Sequence, residues 1–136
     1  MTRFGIDPQV ALRIVRDGIT VDPGHQLVAP NVLRSQVLSY LYREVREGRL
    51  EEPAARVLLD GITALKVRLL GDRVSRANAW RIAVQLNWDH IGQAEFVAVA
   101  VLQADAFITL DDALAGEAAA LVAIAPFEAL VEPPTA

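Results

Sequence analysis

Apolar positions along the chain follow two periods. Short runs that alternate or are continuously apolar suit strands, and stretches in which apolar residues recur every three or four positions suit helices. Phe4-Gly5-Ile6-Asp7 closes a strand over residues 3–7. Pro8 fits a first helical turn, and Val10, Leu12, Ile14 and Val15 carry a short helix to Asp17-Gly18. Val21-Asp22-Pro23-Gly24 reads as a turn, and Gln26-Leu27-Val28-Ala29 as a second strand stopped by Pro30. From Asn31 to about Glu47, Val32, Leu33, Val37, Leu38, Leu41, Tyr42 and Val45 recur at helical spacing, with Gly48 placed to end the helix. Another helix is expected over 51–59 and a strand over 64–70. A helix over 72–86 carries Val74, Ala77, Trp80, Ile82, Ala83 and Leu86, so that Trp80, like Trp88 in the loop 87–90, is expected in the core or at its edge, with nucleobase stacking as the lesser alternative. The helix that begins at Gly92 or Gln93 and runs to Gln103 is apolar nearly all round, which predicts burial. Residues 106–110 form a strand, Asp111 to Leu114 open a short helix, and 121–125 form a last edge strand.

Strands separated by helices imply right-handed crossovers and a parallel sheet covered on both faces. No internal repeat or linker divides the chain, so one domain is expected over 1–130, with 131–136, including Pro133 and Pro134, as a frayed tail.

Composition narrows the chemistry. The 136 residues are 53% apolar, enough for a core, and include no cysteine, which excludes disulfides and thiolate metal ligation. No secretory leader and no apolar run of spanning length is evident, so a cytoplasmic location away from membranes is expected. All 13 basic residues lie within 1–81 against nine acids, a balance of +4, while 82–136 has eight acids and no Lys or Arg, a balance of −8. Twelve of the basic residues are arginine, suited to bidentate phosphate contacts. The interleaving in Arg43-Glu44-Val45-Arg46-Glu47 equally suits intrahelical pairing on a solvated surface.

Two of the strands end in aspartate, Asp7 and Asp111, the latter followed by Asp112. In a parallel sheet these carboxylates meet at the C-terminal edge, where open α/β folds build their sites. Each also suits a helix cap. His25 and His90 are too far apart in sequence to suggest a metal pair. No Ser-His-Asp set, phosphate-cradling glycine loop or dinucleotide fingerprint is present.

Four strings, in this order, resemble the PIN domain of the VapC-like kind, the ribonuclease toxins of type II toxin–antitoxin modules. They are Phe4-Gly5-Ile6-Asp7, the segment Leu27-Val28-Ala29-Pro30-Asn31-Val32-Leu33-Arg34-Ser35-Gln36-Val37, the helix Ala94-Glu95-Phe96-Val97-Ala98-Val99-Ala100, and Ala106-Phe107-Ile108-Thr109-Leu110-Asp111. The resemblance spans roughly residues 3–125 and implies a three-layer α/β/α sandwich. It also implies Mg²⁺- or Mn²⁺-dependent RNA hydrolysis, an antitoxin-like protein partner and a homodimer.

The family's first metal-binding acid falls on Asp7 and its fourth on Asp111, with Asp112 beside it. The other two positions fall on Gln36 and Gln93, and a hydroxyl position falls on Gln9. Each Glu- or Asp-to-Gln change removes a negative charge and adds a donor group. The resemblance therefore implies a pocket with half its acids, suited to one weakly held ion. Asp89 and Glu95 are candidates to compensate, although Glu95 lies about 200° around the helix from Gln93. Two functions follow: a metal-dependent endoribonuclease with a thinned site, or a PIN-like module retained for binding RNA or a protein partner. An unrelated α/β regulatory domain, with the aspartates only as caps, is the third reading.

Overall fold

Asp7 fixes the first corner of the chain. Its carboxylate accepts the backbone N–H of Val10 at 3.0 Å while Pro8 occupies the first helical position, so the chain turns at once from strand into helix. The computed structural model describes residues 1–134. In chain order its elements are β1 (Thr2–Ile6), α1 (Pro8–Arg16), β2 (His25–Pro30), α2 (Leu33–Arg46), α3 (Glu52–Ala64), β3 (Arg68–Leu70), α4 (Arg73–Gln85), α5 (Gly92–Gln103), β4 (Ala106–Ile108), α6 (Asp112–Ala118) and a 3₁₀ turn, Phe127–Val131.

The four strands are all parallel and lie in the order β3-β2-β1-β4. Phe4 pairs with Leu27 on one side and with Ala106 on the other, which fixes the register. Helices α1, α2 and α3 pack together as one layer, while α5 lies on β1 and β2 with α4 against it, giving the three-layer α/β/α sandwich. Ala94, Phe96, Val97, Ala98, Val99 and Ala100 of α5 are all buried, as its apolar pattern predicts. The close fit of α5 on the sheet depends on Gly5: a Cβ built there would meet the Ala100 Cβ at 2.6 Å. Among the described residues no helix is long and apolar enough to cross a membrane.

Several boundaries differ from the sequence expectation. Helix α3 continues through Gly61 to Ala64 and leaves only Arg68–Leu70 for β3. Gly61 lies inside this helix, and Val15 of α1 packs on the place its side chain would occupy, so α3 approaches α1 closely there. The expected last strand is reduced to one parallel bridge, Phe107 to Ile124, held by Phe107 N–H to Ala123 O at 2.8 Å and Ala125 N–H to Phe107 O at 3.0 Å. The start of the expected tail is packed down: Glu132 O lies 2.5 Å from His25 Nε2, and Pro134 occupies the space beside Gly24. Residues 135–136 lie outside the described part. Trp80 is not in the core but on the outer face of α4, 71% exposed, because that helix buries Ala79, Ile82 and Ala83 instead. The Arg43–Glu47 stretch does not pair within its helix: Glu44 meets Arg16 of α1 at 3.4 Å, and Glu47 pairs with Arg49.

Candidate functional site

The chain runs β1, β2, β3 to one side and then returns to the other side of β1 as β4. The strand order therefore reverses between β1 and β4, the switch point at which open parallel sheets form a crevice at their C-terminal ends. Asp7 follows β1 and Asp111 follows β4, so both carboxylates stand at this point. A cavity of about 370 Å³ opens there, and Asp7, Gln9, Gln36, Gln93 and Asp111 all line it. Helices α2 and α5 bring in Gln36 and Gln93 from their first turns. Four positions 29, 57 and 18 residues apart along the chain thus meet on one wall system.

Asp7 is the chain's buried polar residue among those described, 8% exposed. Both its oxygens are engaged: Oδ1 accepts Val10 N–H at 3.0 Å, and Oδ2 accepts the Thr109 hydroxyl at 2.6 Å. The same hydroxyl oxygen accepts Asp111 N–H at 3.2 Å, while Asp111 Oδ1 accepts Leu114 N–H at 3.1 Å and caps α6. Thr109 therefore ties the two acidic corners together. Burial pushes the Asp7 pKa above its ordinary value; the bonds from Thr109 and Val10 act against this, and the nearby charge of Asp111 adds to it.

The cap reading of these aspartates is realised, and the same side chains line the cavity. Other sequence candidates are not brought in. Asp112 is the first residue of α6, exposed and outside the cavity lining; Glu95 lies in the first turn of α5 and also outside it. Asp89 lines a separate groove with His90 and Trp88. None of these three adds a carboxylate to the cavity lining. Three contributors were not anticipated: Thr109, which the sequence pattern gave no role, Tyr40 and Phe96. Tyr40 sits one helical turn beyond Gln36 and Phe96 one beyond Gln93, so the helical period from the two glutamines would have found them.

Among the described residues no three His, Cys, Asp or Glu side chains converge on a metal position. The donor set nonetheless fits one hard cation. Two carboxylates face the cavity beside glutamine side chains whose carbonyl oxygens can ligate, and Mg²⁺ keeps several of its own waters. A divalent cation would also relieve the cost of two like charges in a partly desolvated site.

No family model matches the chain, and no curated protein matches it. Among solved structures, the crystal structure of PAE2754 from Pyrobaculum aerophilum is similar, with a TM-score of 0.70 and 16% sequence identity, over 96% of this chain and 92% of that one. At that identity the likeness concerns the fold.

Proposed function

We propose that the chain is a VapC-like PIN domain that acts on RNA through a thinned, single-ion site. The observation that carries this reading is the convergence of Asp7, Asp111, Gln36 and Gln93 in one cavity at the switch point of the sheet. Asp7 and Asp111 would hold one Mg²⁺ or Mn²⁺, which, when bound, polarises a phosphodiester and lowers the pKa of bound water. The protein's own groups do the rest. Thr109 and the Val10 amide fix the Asp7 carboxylate, so that little reorganisation is needed to receive a cation. The glutamine amides supply N–H donors for phosphate oxygens where acids would repel them. Arginines concentrated in residues 1–81 steer the polyanion. With two carboxylates instead of four, turnover is expected to be slow.

A second reading is favoured by the two glutamines: the cavity binds RNA, or an antitoxin-like protein, without cutting. Leu38, Tyr40 and Tyr42 are exposed along α2, beside an apolar groove between α2 and α3, and support a protein partner or a homodimer on that face. Incubation of purified protein with structured RNA in Mn²⁺, beside Asp7→Asn, separates the readings. Cleavage that disappears in the variant supports the nuclease. Equal background in both rejects it.

A further inference from the structure

The groove outside the main cavity that holds both tryptophans has no role so far. Trp80 and Val84 on α4 are 71% and 69% exposed, and with Trp88 and Ile91 they form the apolar walls of a groove of about 390 Å³. That volume is within the range of small-ligand sites. Trp80 and Val84 lie one helical turn apart and so present one continuous apolar surface to solvent. Trp88 is anchored in place: it packs against the core, and its indole N–H donates to Glu117 Oε2 of α6 at 2.5 Å. Asn87, held at a positive φ of 56°, Asp89 and His90 supply the groove's polar groups.

The surroundings say what it would bind. Successive α-helical residues turn about 100°, so Arg73, Ala77, Trp80 and Val84 form one narrow stripe, with Arg76 on one flank and Arg81 on the other. Among the described residues the ion pairs are Arg13–Asp17, Arg16–Glu44, Arg49–Glu47 and Arg56–Glu52, so Arg73, Arg76 and Arg81 pair with no carboxylate. Arg81 is held at 3.0 Å by Asn78 Oδ1. Free guanidiniums beside an exposed indole make the combination that single-stranded nucleic acid uses, phosphates on the cations and bases on the ring. The place fits as well. Ile91 in the groove is followed two residues later by Gln93 in the cavity, a chain distance of at most about 7 Å.

We propose that the Trp80–Trp88 groove is a nucleobase subsite for single-stranded RNA, seating a base next to the strand that enters the Asp7–Asp111 cavity while Arg76 and Arg81 hold its phosphates. The base stacks on Trp80, and Asn87, Asp89 and His90 meet its polar edge; Asp89 also turns phosphate away from the groove. The assignment deepens the RNA reading of the neighbouring cavity and rests on it.

Trp80 and Trp88 are the chain's two tryptophans, so intrinsic fluorescence reports this groove alone. The protein is titrated, without divalent metal, with a single-stranded RNA hexamer, its abasic ribose-phosphate analogue, and phosphatidylcholine–phosphatidylglycerol vesicles. RNA should quench saturably. Trp80→Ala should weaken RNA binding, followed by anisotropy of a labelled hexamer, roughly 5- to 150-fold, the range for one stacked base. Trp80→Phe should recover most of that loss, and the abasic hexamer should bind as poorly to the wild type as RNA does to Trp80→Ala. The Arg76→Ala, Arg81→Ala pair should reduce the salt slope by about 1.4, two single-strand phosphate contacts. Because Trp80 is exposed, its variants should melt like the wild type. Absence of RNA quenching, unchanged affinity in Trp80→Ala, equal binding of the abasic hexamer, or quenching by vesicles but not by RNA would each overturn the subsite. Manganese-dependent cleavage by wild type and Asp7→Asn, measured in parallel, judges the ribonuclease reading separately: loss of that reading leaves the binding data to decide the groove.

Discussion

Asp7 joins fold to site, and replacing it in two ways separates its jobs. Asn keeps the side-chain shape, the cap on Val10 N–H and a polar contact to Thr109, whose hydroxyl then accepts where it had donated. Ala keeps none of these. Both variants are neutral, so their difference measures the hydrogen bonds without the charge. Loss of a cap costs typically about 1 kcal/mol, and loss of the Thr109 bond about 1 kcal/mol more. Asp7→Ala should therefore be less stable than Asp7→Asn by about 2 kcal/mol, or roughly 6–10 °C in melting temperature for a chain of this size. The charge is read from pH. Burial raises the Asp7 pKa in the folded state above its ordinary value of 3.8. The folded chain then holds this proton more tightly than the unfolded chain. The associated stability is fully present below the unfolded value and is lost as pH rises through the folded one. Metal-free melts of wild type and Asp7→Asn from pH 3 to 8 should show the wild type losing ground to the variant as pH rises. Parallel pH profiles, or a wild type that gains on Asp7→Asn with rising pH, would refute the assignment of Asp7 as a buried carboxylate disfavoured in its charged form.

Two further outcomes follow from the same contacts. Thr109→Val should leave Asp7 Oδ2 without its donor, raise the Asp7 pKa further and cost about 1–2 kcal/mol at pH 7 but less in acid, checked by denaturant melts at both pH values. Gly5→Ala should cost about 1–3 kcal/mol through its clash with Ala100, and Ala100→Gly in the same chain should return part of that loss in a double-mutant cycle of thermal melts.

The order of strands and helices was legible chiefly from the apolar period, helped at α1 by Asp7 with Pro8; the reciprocal cap of Asp72 with Ser75 agrees with the expected start of α4, while α2, α3 and α5 begin without a side-chain cap. Once the strands are parallel, the residues that follow them share one edge, which is why Asp7 and Asp111 could be named from the pattern, whereas Gln36 and Gln93, in the first turns of α2 and α5, came only from the family resemblance. What misled was local. The helix expected over 51–59 runs on through Gly61 to Ala64, and Gly61 is a contact point that the packing of Val15 explains. Trp80 sits in an apolar pattern, but which face of α4 is buried is decided by how closely α5 approaches, and Ala79 and Ala83 allow a closer approach than an indole. The double use of Thr109 depends on a side chain reaching 102 residues back along the sequence, which periodicity cannot express.

The central claim is that Asp7 and Asp111 make one weak cation site whose missing strength lies at Gln36 and Gln93. Calorimetric titration of Mn²⁺ into wild type, Asp7→Asn and the Gln36→Glu, Gln93→Asp pair tests it most directly. The account predicts one ion in the wild type with affinity on the order of 1 mM, as for weakly ligated carboxylate sites, no binding in Asp7→Asn, and at least tenfold tighter binding in the pair. Equal heats in wild type and Asp7→Asn, or no tightening in the pair, would contradict it.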